Sequence, residues 1–146
     1  MKTILVPVDF SDVTSRVLEA AKSLARAYSG RLVVLHVSEP EPDFVGFEPG
    51  PMAVRTSVAR DYKKEHQKLD ELRNSLVAEG LEVLALHIQG PIIDKLLDEA
   101  DKHHADAIVM GSHGHGSLFE FLVGSATSGV LRAAKVPVLV VPAGQR

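Results

Sequence analysis

Cysteine is absent from this chain. That excludes a disulfide framework, a thiolate metal site and a cysteine nucleophile. An excess of basic charge is absent too. The 16 lysines and arginines stand against 19 aspartates and glutamates, for a net charge of −3, and they are scattered. A non-specific nucleic-acid binder needs a basic face, so nucleic acid is not an expected partner. No apolar stretch approaches the roughly 20 residues of a membrane span. The N-terminus, MKTILVPVDF, has one basic residue and a short apolar run that meets Asp9, which is not the pattern of a signal peptide. The expectation is a cytoplasmic protein with no membrane partner.

What is present is an ordinary globular composition, 45% apolar and 24% charged. A length of 146 residues fits one domain, 1–146, large enough to bury a real core.

Along the chain, strands and helices alternate. Thr3 to Val8 is apolar without alternation, as in a strand covered on both faces. Ser11 or Asp12 is placed to cap a helix whose apolar positions run from Val13 to Tyr28, and Gly30 is expected to stop it. Arg31 to Val37 reads as a second buried strand. His36 within it reads as a hydrogen-bonded structural residue rather than a ligand.

The 38–52 segment is rich in proline and acid and reads as a surface loop. Its Phe44, Val45 and Phe47 either fold back onto the core or form a lid or subunit contact. A long helix over Ala53 to Glu79 follows, then a strand over Leu81 to Ile88, nearer an edge. Gly90-Pro91 opens a third helix, with His103-His104 near its end as a cation pair on the helix dipole. Ala105 to Gly111 and Val136 to Val141 read as the last two strands, the latter at an edge beside Pro137.

This alternation predicts an α/β fold, a five-stranded parallel open sheet with helices on both faces. The expected order is 3-2-1-4-5. The chain reverses direction between strands one and four, opening a crevice at their carboxyl ends, Val8-Asp9 and Met110-Gly111.

The same crevice is selected by a second pattern. Met110 to Val130 reads MGSHGHGSLFEFLVGSATSGV, with glycines at 111, 114 and 116, then Gly124 followed by Ser125, Thr127 and Ser128. A strand, a glycine-rich loop and a hydroxyl-rich helix start make an anion site, most simply for phosphate.

The sequence resembles the universal stress protein family. The resemblance rests on Gly111, two residues, Gly114, nine residues from His115 to Val123, then Gly124-Ser125, and it extends through ILVPVDFS, LVVLHV, DAIVMGSHG, GSATSGVL and VPVLVV. Pro91 directly after Gly90, and Ala126 where valine is common, are its small departures.

The resemblance implies a Rossmann-like fold, similar to the adenine nucleotide alpha hydrolases, that binds an adenine nucleotide, usually ATP. Carried over by position, it implies that Asp9 bonds the ribose beside Pro7 and Val8, and that Val37 meets the adenine edge through its backbone. Met110, Gly111 and Gly114 would line the ribose and phosphate path, with Gly124, Ser125, Ala126 and Thr127 on the phosphates. It also implies a homodimer, since the family often pairs through strand five, here Val136 to Val141.

Plainer roles stand beside these. Asp9 also suits a helix cap, Ser125 and Thr127 suit bonds to their own backbone, and the glycines suit turns. His113 and His115 suit either phosphate contacts or exposed loop positions. No third ligand is near them in sequence, so no metal site is assigned.

The loop has no Gly-Lys-Ser/Thr, and no lysine or arginine lies between Lys102 and Arg132. Phosphoryl transfer is catalysed largely by positioned positive charge. Glu120 is the one carboxylate in the loop region, and no base is clearly placed to activate water. A divalent ion on the phosphates, Mg²⁺ or Mn²⁺, would have few protein ligands. The chemistry therefore fits holding a nucleotide, with slow hydrolysis at most. The reading is a nucleotide-dependent stress-response regulator with a protein partner still to be identified. The alternatives are a nucleotide-free dimeric interaction module and a slow ATPase or adenylyl-transferring relative on the same fold.

Overall fold

A computed structural model describes residues 1–38, 52–112 and 125–143, and side chains within that range except those of 52–59. The elements are β1 (Thr3–Pro7), α1 (Thr14–Tyr28), β2 (Arg31–Ser38), α2 (Met52–Ala78), β3 (Val83–Gln89), α3 (Ile92–Lys102), β4 (Ala107–Gly111), α4 (Ser125–Ala133) and β5 (Val138–Val141). The five strands form one sheet in the order β3-β2-β1-β4-β5, every neighbouring pair parallel.

Both faces of the sheet are buried, which is why the central strands read as unbroken apolar runs. Successive side chains alternate faces. Ile4 and Val6 of β1, with Leu32 and Val34 of β2, pack against Val17 and Ala21 of α1 and Leu69 and Leu76 of α2. Leu5, Val33, Leu35 and Ile108 face the other way, toward Leu96 and Ala100 of α3 and Val130 of α4. The Pro-rich segment, including Phe44, Val45 and Phe47, lies outside the described residues.

Two local expectations are corrected, and a third gains a detail. Neither Ser11 nor Asp12 caps α1: its N-cap is Val13, with no side-chain hydrogen bond. The Asp9 carboxylate instead takes the Ser11 N–H at 3.0 Å, and Thr14 N–H donates to Ser11 O at 3.0 Å, so a tight turn leads into the helix. At the other end Ser29, not Gly30, takes the left-handed conformation, with φ 52°. Gly30 serves close approach: a Cβ there would sit 2.8 Å from Met1 O. Its N–H bonds Ala25 O at 2.8 Å. Finally, His103 caps α3 and bonds the Glu99 carboxylate one turn back at 3.1 Å through Nε2, so its ring is held by a side chain.

Candidate functional site

β1 and β4 are adjacent, and their neighbours lie on opposite sides. Connections leaving their carboxyl ends therefore diverge, and a cleft opens between them. It is a shallow cleft, partly open to solvent and lined mostly by apolar side chains. Pro7, Val8 and Asp9 come from the end of β1, Leu35 and Val37 from β2, and Met110 and Gly111 from β4. Val13, Thr14 and Val17 of the α1 entry, Ile92 and Leu96 of α3, and Ala126 and Thr127 of α4 complete the wall.

Most of the residues expected at the site are thus brought together: Pro7, Val8, Asp9, Val37, Met110, Gly111, Ala126 and Thr127 all line the cleft. Ser125 begins α4 but is exposed and does not line it. His113, Gly114 and Gly124 lie outside the described residues. Val13, Thr14, Val17, Leu35, Ile92 and Leu96 were not anticipated. Leu35 had a signal, because it lies two residues before Val37 and so shares its sheet face.

Asp9 has a structural duty as well as a place in the wall. Its Oδ1 accepts the Ser11 N–H at 3.0 Å and faces Thr14 Oγ1 at 3.5 Å. The turn it organises holds Phe10 at φ 60°, which a bulky residue seldom adopts. Helix capping and ligand contact were separate readings of Asp9. Here it stabilises the turn beside the cleft rather than capping the helix.

Thr127 is 3% exposed, and its hydroxyl donates to Gly111 O at 2.7 Å. The bond ties the first turn of α4 to the end of β4. Its single proton is therefore committed to the protein's own backbone. The first-turn amides of α4 have no partner within the helix, and Ala126 and Thr127 of that turn line the cleft. Among the described residues that line the cleft there is no lysine or arginine. An anion here would meet backbone dipoles rather than side-chain cations.

This architecture has counterparts of known sequence and structure. The model of the universal stress protein family matches residues 1–142. The chain belongs to the universal stress protein family. A universal stress protein of Thermus aquaticus is 34% identical to it, across 96% of this chain and 98% of that one. Among solved structures, the universal stress protein UspA of Lactobacillus plantarum superposes with a TM-score of 0.81 at 23% identity, covering 96% of this chain and 97% of its own. That likeness concerns the fold. The universal stress protein of Archaeoglobus fulgidus, solved in complex with dAMP, gives a TM-score of 0.66 at 25% identity, covering 96% and 97%. Among the described residues of this universal stress protein, no helix is long and apolar enough to cross a membrane.

Proposed function

We propose that this universal stress protein binds an adenine nucleotide, ATP, in the cleft between β1 and β4, and acts as a nucleotide-dependent regulator in the cytoplasm. One observation carries the reading. The crevice of the sheet and the start of α4, which follows the glycine-serine pattern, meet in one cavity lined by Asp9, Val37, Gly111 and Ala126. The dAMP complex of the related Archaeoglobus fulgidus protein supports the ligand class.

In this reading adenine lies along the apolar wall at Val37, ribose near Asp9, and the phosphates at the α4 amides and the segment holding His113, Gly114 and Gly124. Mg²⁺ or Mn²⁺ accompanies the phosphates. The absence of lysine and arginine among the described lining residues favours holding ATP over cleaving it. Among the described residues β5 pairs only with β4, and it exposes Leu139 by 44%. We read this edge, Val136 to Val141, as the surface of a homodimer. Nucleotide occupancy then sets what a protein partner meets.

The test is to denature purified protein gently and identify any co-purified nucleotide by mass spectrometry. ATP and Mg²⁺ are then titrated calorimetrically into wild type and Gly124→Val. Stoichiometric ATP binding, lost in the variant, is expected. No nucleotide and no heat at millimolar ATP would leave the fold intact and favour an interaction module instead.

A further inference from the structure

On the sheet face opposite Leu35 and Val37, a second group of polar side chains gathers. His36 of β2 and His87 of β3 are register partners on adjacent parallel strands. Glu65 of α2 reaches over both, its Oε2 lying 2.9 Å from His36 Nε2 and 3.5 Å from His87 Nε2. Ser38 Oγ sits 2.5 Å from the same carboxylate oxygen and 2.6 Å from His87 Nε2. The imidazole side chains are deeply buried, 8% and 2% exposed, while Glu65 at 34% opens the group to solvent.

The hydrogen bonds decide what these atoms offer. His36 Nδ1 lies 2.7 Å from Val8 O, and a carbonyl only accepts, so Nδ1 carries the proton. Its Nε2 stands 2.9 Å from a Glu65 carboxylate oxygen, which also only accepts, so Nε2 donates there through a proton that a bound metal ion would displace. A backbone carbonyl fixing one ring nitrogen while the other presents its lone pair is how metal-bound histidines are oriented. His87 is held by stacking on Tyr62, with centroids 3.9 Å apart and planes 10° from parallel, and its buried Nδ1 has no hydrogen-bond partner among the described residues. Ser38 Oγ donates to Glu65, so His87 Nε2 donates to Ser38 Oγ, through a second proton that a bound metal ion would displace.

The geometry points to a binding site for a first-row divalent metal ion formed by His36 Nε2, Glu65 Oε2 and His87 Nε2. The three ligand atoms lie within 4.8 Å of one another. Ligands at 2.0–2.2 Å around such an ion stand roughly 3–3.5 Å apart, so the widest pair must close by about an ångström when the ion binds. Two imidazoles and one carboxylate suit Zn²⁺, Co²⁺ or Fe²⁺, and leave a fourth position for water or Ser38 Oγ. The single carboxylate and borderline-soft nitrogens disfavour Ca²⁺ and Mg²⁺, which take oxygen ligands. The site needs no nucleotide and stands apart from the cleft reading.

The test uses chelator-treated full-length protein without nucleotide. Zn²⁺ is titrated by calorimetry and Co²⁺ by visible absorption. We expect one equivalent of each, with Co²⁺ giving the intense bands of a four-coordinate ion. Histidine nitrogen shifts in NMR should locate Zn²⁺ on Nε2 of His36 and His87, a readout that requires no variant. His87→Gln and Glu65→Gln should each weaken binding at least tenfold with an unchanged circular-dichroism spectrum. Absence of heat and of cobalt bands at about 100 μM metal would overturn the proposal. So would binding of equal strength in both variants, or shifts confined to other histidines such as His66 and His103.

Discussion

Replacing Thr127 by valine removes one hydroxyl and nearly preserves the side chain's shape. The residue is 3% exposed, and its 2.7 Å bond to Gly111 O joins α4 to the end of β4. A neutral intramolecular hydrogen bond contributes about 0.5–1.5 kcal/mol net, and a buried carbonyl that loses a donor adds to the loss. The expected destabilisation is therefore about 1–2 kcal/mol. For 146 residues the unfolding entropy is roughly 0.3 kcal/mol/K, so Tm should fall by roughly 3–7 °C. Thr127→Ser keeps the hydroxyl and loses a methyl group worth about 0.8 kcal/mol, so a comparison of the two variants isolates the bond. Urea unfolding measures both, with an unchanged m-value showing that the folded state is the same. Because the proton is committed to Gly111, ATP affinity in Thr127→Val should change by less than about threefold. A hydroxyl bonded directly to a phosphate would contribute about 1.5–3 kcal/mol, or tenfold and more. Unchanged stability with lost affinity would refute the assignment of Thr127 as a tie between α4 and β4.

Ser29 holds φ 52° at the end of α1. Ser29→Gly should raise stability by about 0.5–1 kcal/mol in urea unfolding, and a loss would show that the left-handed cap costs nothing. The Asp106 carboxylate accepts N–H bonds from Lys2 at 2.7 Å and Thr3 at 3.0 Å, and the bonds from Thr3 and Lys2 lower its pKa. A depressed folded pKa contributes stability above about pH 4 that is lost as pH falls through the folded value. Asp106→Asn should thus be less stable than wild type at pH 7, with the gap closing in acid. A gap independent of pH would rule out this linkage. Leu139→Lys should convert the expected dimer to a monomer in sedimentation velocity while leaving the circular-dichroism spectrum intact. A wild-type protein that is monomeric at high micromolar concentration would remove the β5 interface.

The strand order and the position of the cleft were legible because both follow from short-range patterns. Unbroken apolar runs alternating with helical stripes imply a parallel sheet, and the crossover rules leave few orders for it. Boundaries were less legible. The strand expected over Leu81 to Ile88 runs Val83–Gln89, and that over Val136 to Val141 runs Val138–Val141. Apolar residues Leu81 and Val136 precede the paired stretches, so hydrophobicity alone does not mark where pairing starts. At α1 the expected caps were adjacent polar residues, whereas the structure uses Asp9 to organise a turn ahead of Val13.

The family, the parallel order and the coincidence of Met110-Gly111 with Val8-Asp9 were therefore determined by the sequence itself, because each depends on residues close in the chain or on the direction of the crossovers. Tertiary structure alone decided the partners of individual polar atoms. Thr127 and Gly111 meet because α4 packs beside the end of β4. His36, Glu65 and His87 meet because the β2–β3 register sets the histidines side by side and α2 lies across them. No spacing in the sequence encodes that meeting, since it depends on the rotation of a helix over a sheet, which the packing of the whole core fixes.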